Sequence, residues 1–133
     1  MADITLVKQA RILVASKSLA AAGIERAVTD LRTVDGGIIS FRVTNGPSGP
    51  TIGCSIILSV AYEDGPTPVA GAVGATWKQY AVYTCSTANN AEHHFGMEIP
   101  RGSQHLQIEF SGHTVQAVTV EAQASVIQKA VTV

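Results

Sequence analysis

Residues whose side chains could do chemistry are concentrated in one stretch, residues 92–110, which reads EHHFGMEIPRGSQHLQIEF. It holds three of the four histidines of the chain beside three glutamates. Imidazole nitrogens and carboxylate oxygens are ligands that zinc prefers, and the same two groups perform general acid–base catalysis. Whether such chemistry is available depends on how the backbone positions these side chains.

The stretch is predicted to be a β-hairpin. IPRGSQ can close a tight turn around Arg101 and Gly102, because glycine has the backbone freedom that such turns favour. In that register the apolar pairs share one face, and a slip of one residue would scramble the pattern. The residues predicted to face inward are Phe95, Met97, Leu106, Ile108 and Phe110. The pairs predicted on the outer face are His94 with Glu109 and His105 with Glu98.

This register argues against a metal ion held within one chain. The two outer pairs would lie about 13 Å apart at ~3.4 Å per residue, whereas a zinc–nitrogen bond is only ~2 Å long. Adjacent His93 and His94 would point to opposite faces, and His113 is predicted to lie in a turn. No metal ligand is therefore predicted. A metal shared between subunits, or a change of histidine charge near neutral pH, stays open.

Other signals of catalysis are weak. Cys54 and Cys85 lie in apolar runs and form no CxxC pair, so buried free thiols are expected, with a disulfide as the alternative. The sequence contains no GxSxG, P-loop or dinucleotide fingerprint. Glu92 and Glu98 on one strand would be about 20 Å apart, beyond the ~5–9.5 Å of glycosidase carboxyls. We predict no catalytic residue and no cofactor, and expect that the chain is not an enzyme.

The low content of charged residues indicates which kinds of partner the chain can have. Only 14% of the residues are charged, against a usual ~25%. Either the domain has a plain, Ala- and Gly-rich surface, or much of its surface meets protein neighbours, since charge is depleted at interface cores. A net charge of −1 without a basic block argues against nucleic acid. No run approaches the ~20 apolar residues of a membrane span, and the first residues do not resemble a secretory signal. We therefore expect no membrane partner and synthesis in a cytoplasm.

Alternation at period two predicts the fold. In TIGCSIILSVAYE, six apolar residues from Ile52 to Tyr62 share one face, as in a strand over a core. Similar segments separated by Gly, Pro and Asn turns predict an all-β chain: an antiparallel β-sandwich, jelly-roll-like, with seven to eight strands. A length of 133 residues predicts a single domain over residues 1–133. Residues 1–16 are predicted to be a first strand or an extended N-terminal arm.

Residues 18–32 are ambiguous between helix and strand. Ile24, Ala27, Val28 and Leu31 have helical spacing, and Ser18 could cap the N-terminus. Gly23 and the β-branched Thr29 weaken a helix. The pattern alone favours a helix slightly.

Three segments carry a resemblance over most of the chain: LVASKSLAAAG, TDLRTVDGGIISFRVTNGPSGPT and EIPRGSQHLQIEFSGHTVQAVTVEAQAS. In their order they resemble small β-sandwich virion proteins of tailed bacteriophages. The most characteristic pieces, RVTNGPSGPT and FSGHTVQAVTVEAQ, are strand ends and turns, so their functional specificity is low. The resemblance implies that AVTDLRT is a strand, with TVDGG as the turn after it.

The resemblance also implies a non-enzymatic building block: a head decoration (cement) protein on the outer surface of a capsid, acting as a dimer or trimer. Its partner would be the major capsid protein or another virion protein. Binding only to the assembled lattice would stabilise that lattice by mass action, and many weak sites would add through multivalency. The arm, residues 1–16, could add a strand to a neighbour. The candidate interface residues are Ile4, Leu6, Lys8, Trp77, Tyr80, His94 and His105.

Two alternatives stay open. The first is a tail, baseplate, neck or fibre component that contacts a host receptor. The loops at 46–50, 64–75 and 86–91 contain no aromatic residue, which favours a cement protein over a receptor-binding one. The second is a carbohydrate-binding or hydrolytic β-sandwich, in which Trp77 or Tyr80 would line a groove for sugar stacking.

Overall fold

The computed structural model of the chain describes residues 3–72 and 76–132, in which eight strands form two antiparallel sheets. The strands are β1 (Asp3–Leu19), β2 (Glu25–Asp30), β3 (Val34–Asn45), β4 (Ser55–Ala61), β5 (Lys78–Thr84), β6 (Glu92–Glu98), β7 (His105–Ser111) and β8 (Val118–Thr132). Their order is β1-β8-β3-β6 in one sheet and β2-β7-β4-β5 in the other. Only the β4–β5 connection stays within one sheet, which is the arrangement of a jelly roll. The predicted fold class is confirmed.

The core lies between the two sheets, where β3, β4, β7 and β8 each point every second side chain inward. Fully buried side chains include Ile39, Val43, Ile56, Leu58, Leu106, Ile108 and Phe110. Burying one such side chain contributes about 1.5–3 kcal/mol. Phe41, Tyr83 and Phe95 form an aromatic cluster with ring centroids 4.7 to 5.7 Å apart.

The described part of residues 18–32 contains no helix. β1 ends at Leu19, the chain turns through Ala22 with a φ of 59°, and β2 begins at Glu25. β2 pairs with β7 over its whole length, with Ala27 opposite Ile108. The helix favoured by the local pattern is therefore wrong, because sheet pairing outweighs a weak helical spacing. The strand implied by the resemblance is confirmed for residues 27–30. The implied turn over TVDGG is wrong, because the chain turns at residues 31–33 and Val34 already begins β3.

The predicted hairpin between residues 92 and 110 is also wrong. β6 pairs with β3 in one sheet, whereas β7 lies between β2 and β4 in the other. The chain leaves β6 with the Ile99 amide donating to the Gly37 carbonyl at 2.9 Å, and then crosses to the opposite sheet. The inward-facing residues were predicted correctly, because alternation specifies which face is buried but not which strand lies alongside.

The N-terminal segment is both a strand and an arm. β3 accompanies β8 only as far as Gln128, whereas β1 pairs with β8 up to Thr132. Beyond Gln128 the β1–β8 pair is thus two-stranded, with residues 3–6 of β1 beside residues 129–132 of β8. We call this whole end of the pair the terminal ribbon (residues 3–10 of β1 with 125–132 of β8). All residues from Thr5 to Ala10 are exposed.

Candidate functional site

The fold separates the histidines. His93, on β6, lies between two backbone groups: its Nδ1 is 3.2 Å from the Val43 carbonyl, and its Nε2 accepts from the Ser86 amide at 3.0 Å. A carbonyl oxygen can only accept and an amide can only donate, so the ring must carry its proton on Nδ1. His93 therefore joins β3, β6 and the β5–β6 connection, and both of its nitrogens are occupied.

His113 is fully buried in the β7–β8 connection, the region predicted as a turn. Its Nε2 donates to the Ala20 carbonyl at 2.7 Å, and its own carbonyl accepts from the Ala22 amide at 2.8 Å. These bonds tie the β7–β8 connection to the β1–β2 turn. His113 thus supports the end of the sandwich.

His105 is fully buried, so its predicted position on an outer surface is wrong. It opens β7 between Asp30 and Ala61, and its Nδ1 lies 3.9 Å from Asp30 Oδ1. The β4–β5 connection reaches across this face of the sheet, where the Gly71 amide donates to Gln107 Oε1 at 2.6 Å. His105 and Gln107 lie on the same face of β7, and neither is available to a partner.

The other candidate interface residues are divided between surface and interior. Leu6 is 58% exposed on the terminal ribbon and Lys8 is exposed beside it, whereas the side chain of Ile4 lies outside the described residues. Trp77 is half-buried and donates from Nε1 to the Val69 carbonyl at 3.0 Å. Tyr80 packs against the core, and burial raises its pKa to about 12. Trp77 and Tyr80 therefore do not form the exposed platform that sugar stacking would require.

Among the four histidines, His94 is the one that faces an open surface. Its Nε2 lies 3.6 Å from Glu92 Oε2, and both side chains are about 60% exposed. The residues described in ranges 3–72 and 76–132 contain no group of three or more His, Cys, Asp or Glu side chains placed to hold a metal ion. The histidine-rich stretch therefore supplies one exposed histidine to a different site.

That site is a groove of about 550 Å³ on the outer face of the β1-β8-β3-β6 sheet. Its floor is a row of neighbours across three strands, in which Ser40 lies opposite both Gln123 and Gly96. Register shifts in β1 after Ile12 and Val14 place Ala15 and Ser16 along one side. Ile12 on this side is 76% exposed.

Charges at the groove are balanced. Arg42 lies opposite His94 on one side and opposite Glu121 on the other. Its guanidinium contacts Glu121 Oε2 at 3.1 Å, and each of these two side chains is about one third exposed. The groove thus presents hydrogen-bond donors and acceptors with no excess of charge among its described lining residues. Sequence patterns did not predict it; the available signal was a glycine, Gly96, in the interior of a strand.

The glycine-rich RVTNGPSGPT motif has a structural role. Asn45 is buried and donates from Nδ2 to the carbonyls of Ser86 and Ala88, at 3.0 and 2.8 Å. A Cβ on Gly49 would lie 1.9 Å from the Thr87 carbonyl oxygen, so the two backbones pack in direct contact. The motif therefore holds the β5–β6 connection in place.

Solved structures resemble this chain in fold at low identity. The K3 cleaved adhesin domain of Lys-gingipain from Porphyromonas gingivalis w83 matches with a TM-score of 0.55 and 11% identity, over 85% of this chain and 71% of that chain. The VP2 subviral particle of infectious bursal disease virus matches with a TM-score of 0.49 and 11% identity, over 92% of this chain and 32% of that chain. The SPBc2 prophage-derived protein YomS matches with a TM-score of 0.44 and 15% identity, over 91% of this chain and 95% of that chain. A viral particle protein and a prophage protein are thus among the structures that are similar to it, and at these identities the similarity shows the fold alone.

No protein-family model matches the sequence, and comparison with curated proteins gave no match. Within residues 3–72 and 76–132, no helix is long and apolar enough to cross a membrane.

Proposed function

We propose that this chain is a non-enzymatic virion structural protein of a tailed bacteriophage, and specifically a head decoration protein that binds and stabilises the assembled lattice of the major capsid protein. The phage virion proteins that its sequence resembles supply the setting. The observation that carries the proposal is the terminal ribbon, because it leaves the sandwich and presents apolar side chains to its surroundings.

The terminal ribbon is poorly stabilised by its own chain. Leu6 and Val7, which are neighbours on β1 and point to opposite faces, are 58% and 49% exposed. An isolated two-stranded ribbon is at best marginally stable in water. β1 is also an edge strand, so its outer side offers backbone groups that a neighbouring protein can pair with. Docking on another virion protein would cover both the side chains and the edge.

The base of the ribbon is rigidly held. Arg11 donates to Thr29 Oγ1 at 2.9 Å and to the Asp30 carbonyl at 2.5 Å, which links β1 to the opposite sheet. It also reaches Gln128 Oε1 on β8 at 3.5 Å. Because the base is anchored, only the outer part of the ribbon loses conformational entropy on docking, which favours binding through a small contact. Many such contacts on one capsid would add through multivalency.

The test is cosedimentation of the purified protein with phage heads that lack it. Replacing Leu6 and Val7 together by serine is expected to weaken binding to heads, with the fold retained because both side chains are exposed. The matched control replaces Ile24 and Val82, which are 54% and 48% exposed, by serine. The proposal predicts that only the first variant loses binding.

Deletion of residues 1–10 tests the arm more severely, although it also leaves residues 129–132 of β8 without a partner strand. If the shortened chain, or the Leu6 and Val7 variant, still bound heads fully, the arm would not be the contact. Imaging of labelled protein on intact particles separates the head from the tail. Label confined to tails would favour the tail, baseplate, neck or fibre alternative.

A further inference from the structure

Gly96 has no explanation within the fold. It lies in the middle of β6, which pairs with β3 in unbroken register from Glu92 to Glu98. Glycine in a strand interior costs backbone entropy and usually marks a bulge, a bend or a close approach by another molecule. The β6–β3 register contains no bulge, and the φ of Gly96 is not in the left-handed region.

Internal packing does not require the glycine either. A Cβ built on Gly96 would find its nearest described neighbour, the Ile39 carbonyl oxygen, at 3.9 Å, which is ordinary van der Waals contact. At Gly53 the same construction meets a backbone oxygen at 1.9 Å, so there the fold itself requires glycine. The space above Gly96 is the groove on the outer face of the sheet. A close approach from outside the chain is the remaining reason for a glycine here.

We propose that this groove binds a neutral saccharide unit of a glycan, with the sugar ring lying over Gly96. The groove volume of about 550 Å³ falls within the roughly 300–1,000 Å³ of small-molecule sites. It is open on the sheet surface, so one or two sugar units can enter while the rest of a glycan stays in solvent. This site goes beyond capsid binding and does not use Leu6 or Val7.

The chemistry of the lining matches a sugar. Ser40, Gln123 and His94 offer hydrogen-bond donors and acceptors for hydroxyl groups. Arg42 and Glu121 cancel each other's charge at 3.1 Å, yet both remain partly exposed and keep further donor and acceptor positions for adjacent hydroxyls. The bare Cα of Gly96 supplies apolar surface for the C–H face of the ring. The exposed side chain of Ile12 lies three strand spacings away across the groove, about 14 Å at ~4.8 Å per spacing, and supplies apolar surface for a second sugar unit. A charged ligand would have to compete with the existing ion pair, which favours a neutral one.

The experiment uses the full chain on an array of immobilised oligosaccharides that end in glucose, galactose, mannose or N-acetylglucosamine. The best-bound oligosaccharide is then titrated into ¹⁵N-labelled protein. We expect the backbone amide signals of Ser40, Gly96 and Gln123 to shift. Gly96→Val fills the groove with a side chain that a strand accommodates, and should weaken binding by at least about tenfold while thermal unfolding is unchanged or slightly raised.

The matched control is Thr84→Val, an exposed strand position in the opposite sheet, which should bind as the unchanged protein does. Absence of binding to every sugar on the array would overturn the proposal, and so would full binding by Gly96→Val. If Gly96→Val instead weakened cosedimentation with phage heads and no sugar bound, the groove would face a protein and the saccharide site would be rejected. Failure of the Leu6 and Val7 experiment affects only the capsid contact, so the two results are independent.

Discussion

His93 Nε2 accepts a hydrogen bond from the Ser86 amide at 3.0 Å, while the opposite nitrogen of the ring meets the Val43 carbonyl at 3.2 Å. One imidazole therefore joins two strands of one sheet to a connection that arrives from the other. The adjacent His94 makes no comparable link and lies on the opposite, exposed face of β6.

Replacing His93 by alanine is expected to lower the free energy of unfolding by about 1–2 kcal/mol, because two hydrogen bonds are lost and backbone groups lose their partners. Urea denaturation measures the change, and nitrogen NMR of the unchanged protein should show the Nδ1-protonated tautomer. His94→Ala is the control, with an expected effect below about 0.5 kcal/mol at an exposed site. Equal effects for the two substitutions would contradict the role assigned to His93.

Gly53→Ala is expected to be strongly destabilising, by more than about 2 kcal/mol, because overpacking against a backbone forces the chain to move. The added Cβ would lie 1.9 Å from the Cys85 carbonyl oxygen. Gly46→Ala provides the comparison in the same β3–β4 connection, since its Cβ would have no described neighbour closer than 4.0 Å. Thermal unfolding of both variants should show a large fall for Gly53→Ala only, and similar values would refute the close approach.

The acid stability of the chain should depend on Asp30. Hydrogen bonds from Arg32, at 2.7 to 3.1 Å, lower the pKa of Asp30 from 3.8 to about 2. A carboxyl whose pKa is lowered by folding stabilises the folded state above its unfolded pKa, and this contribution is lost as the pH falls toward the folded pKa. The loss should therefore occur between about pH 5 and pH 2, and stay below about 1 kcal/mol because both side chains are partly exposed and screened.

Asp30→Asn should remove this part of the pH dependence, as measured by chemical denaturation at several pH values. The control Thr84→Val, at an exposed position of β5 that has no titratable side chain, should leave it unchanged. An Asp30→Asn variant with the same slope of stability against pH as the unchanged protein would show that the Arg32 pair does not contribute.

The two thiols should be inert in the folded protein. Cys54, just before β4, and Cys85, just after β5, are free and buried, and the Cys85 amide donates to the Cys54 carbonyl at 2.8 Å. Burial raises the pKa of Cys54 to about 11 and that of Cys85 to about 12, so very little reactive thiolate is present at neutral pH. Alkylation by iodoacetamide at about pH 8 should be at least about a hundredfold slower in the folded protein than in urea. Fast modification of either cysteine in the native protein would contradict this burial.

Several features of the fold follow from the sequence. Alternation predicted the all-β class and the inward side chains of β6 and β7, such as Phe95 and Ile108, because a strand turns every second side chain to the same face. Of the apolar face predicted from Ile52 to Tyr62, the part from Cys54 to Val60 is buried, whereas Ile52 and Tyr62 at its two ends are 57% and 53% exposed. These properties are local, since they depend only on neighbours along the chain.

Which strands pair with each other was decided by the tertiary structure. The same side chains of β6 point inward whether it pairs with β7 or with β3. The pattern therefore could not exclude a β6–β7 hairpin, although β6 in fact pairs with β3. The burial of His105 depends on the β4–β5 connection that crosses its face of the sheet. The groove around Gly96 depends on the pairing of β1, β8, β3 and β6, which are distant in sequence. The sequence by itself determined which faces are apolar, and the tertiary structure determined what each remaining face meets, because period-two alternation contains no information about the partner.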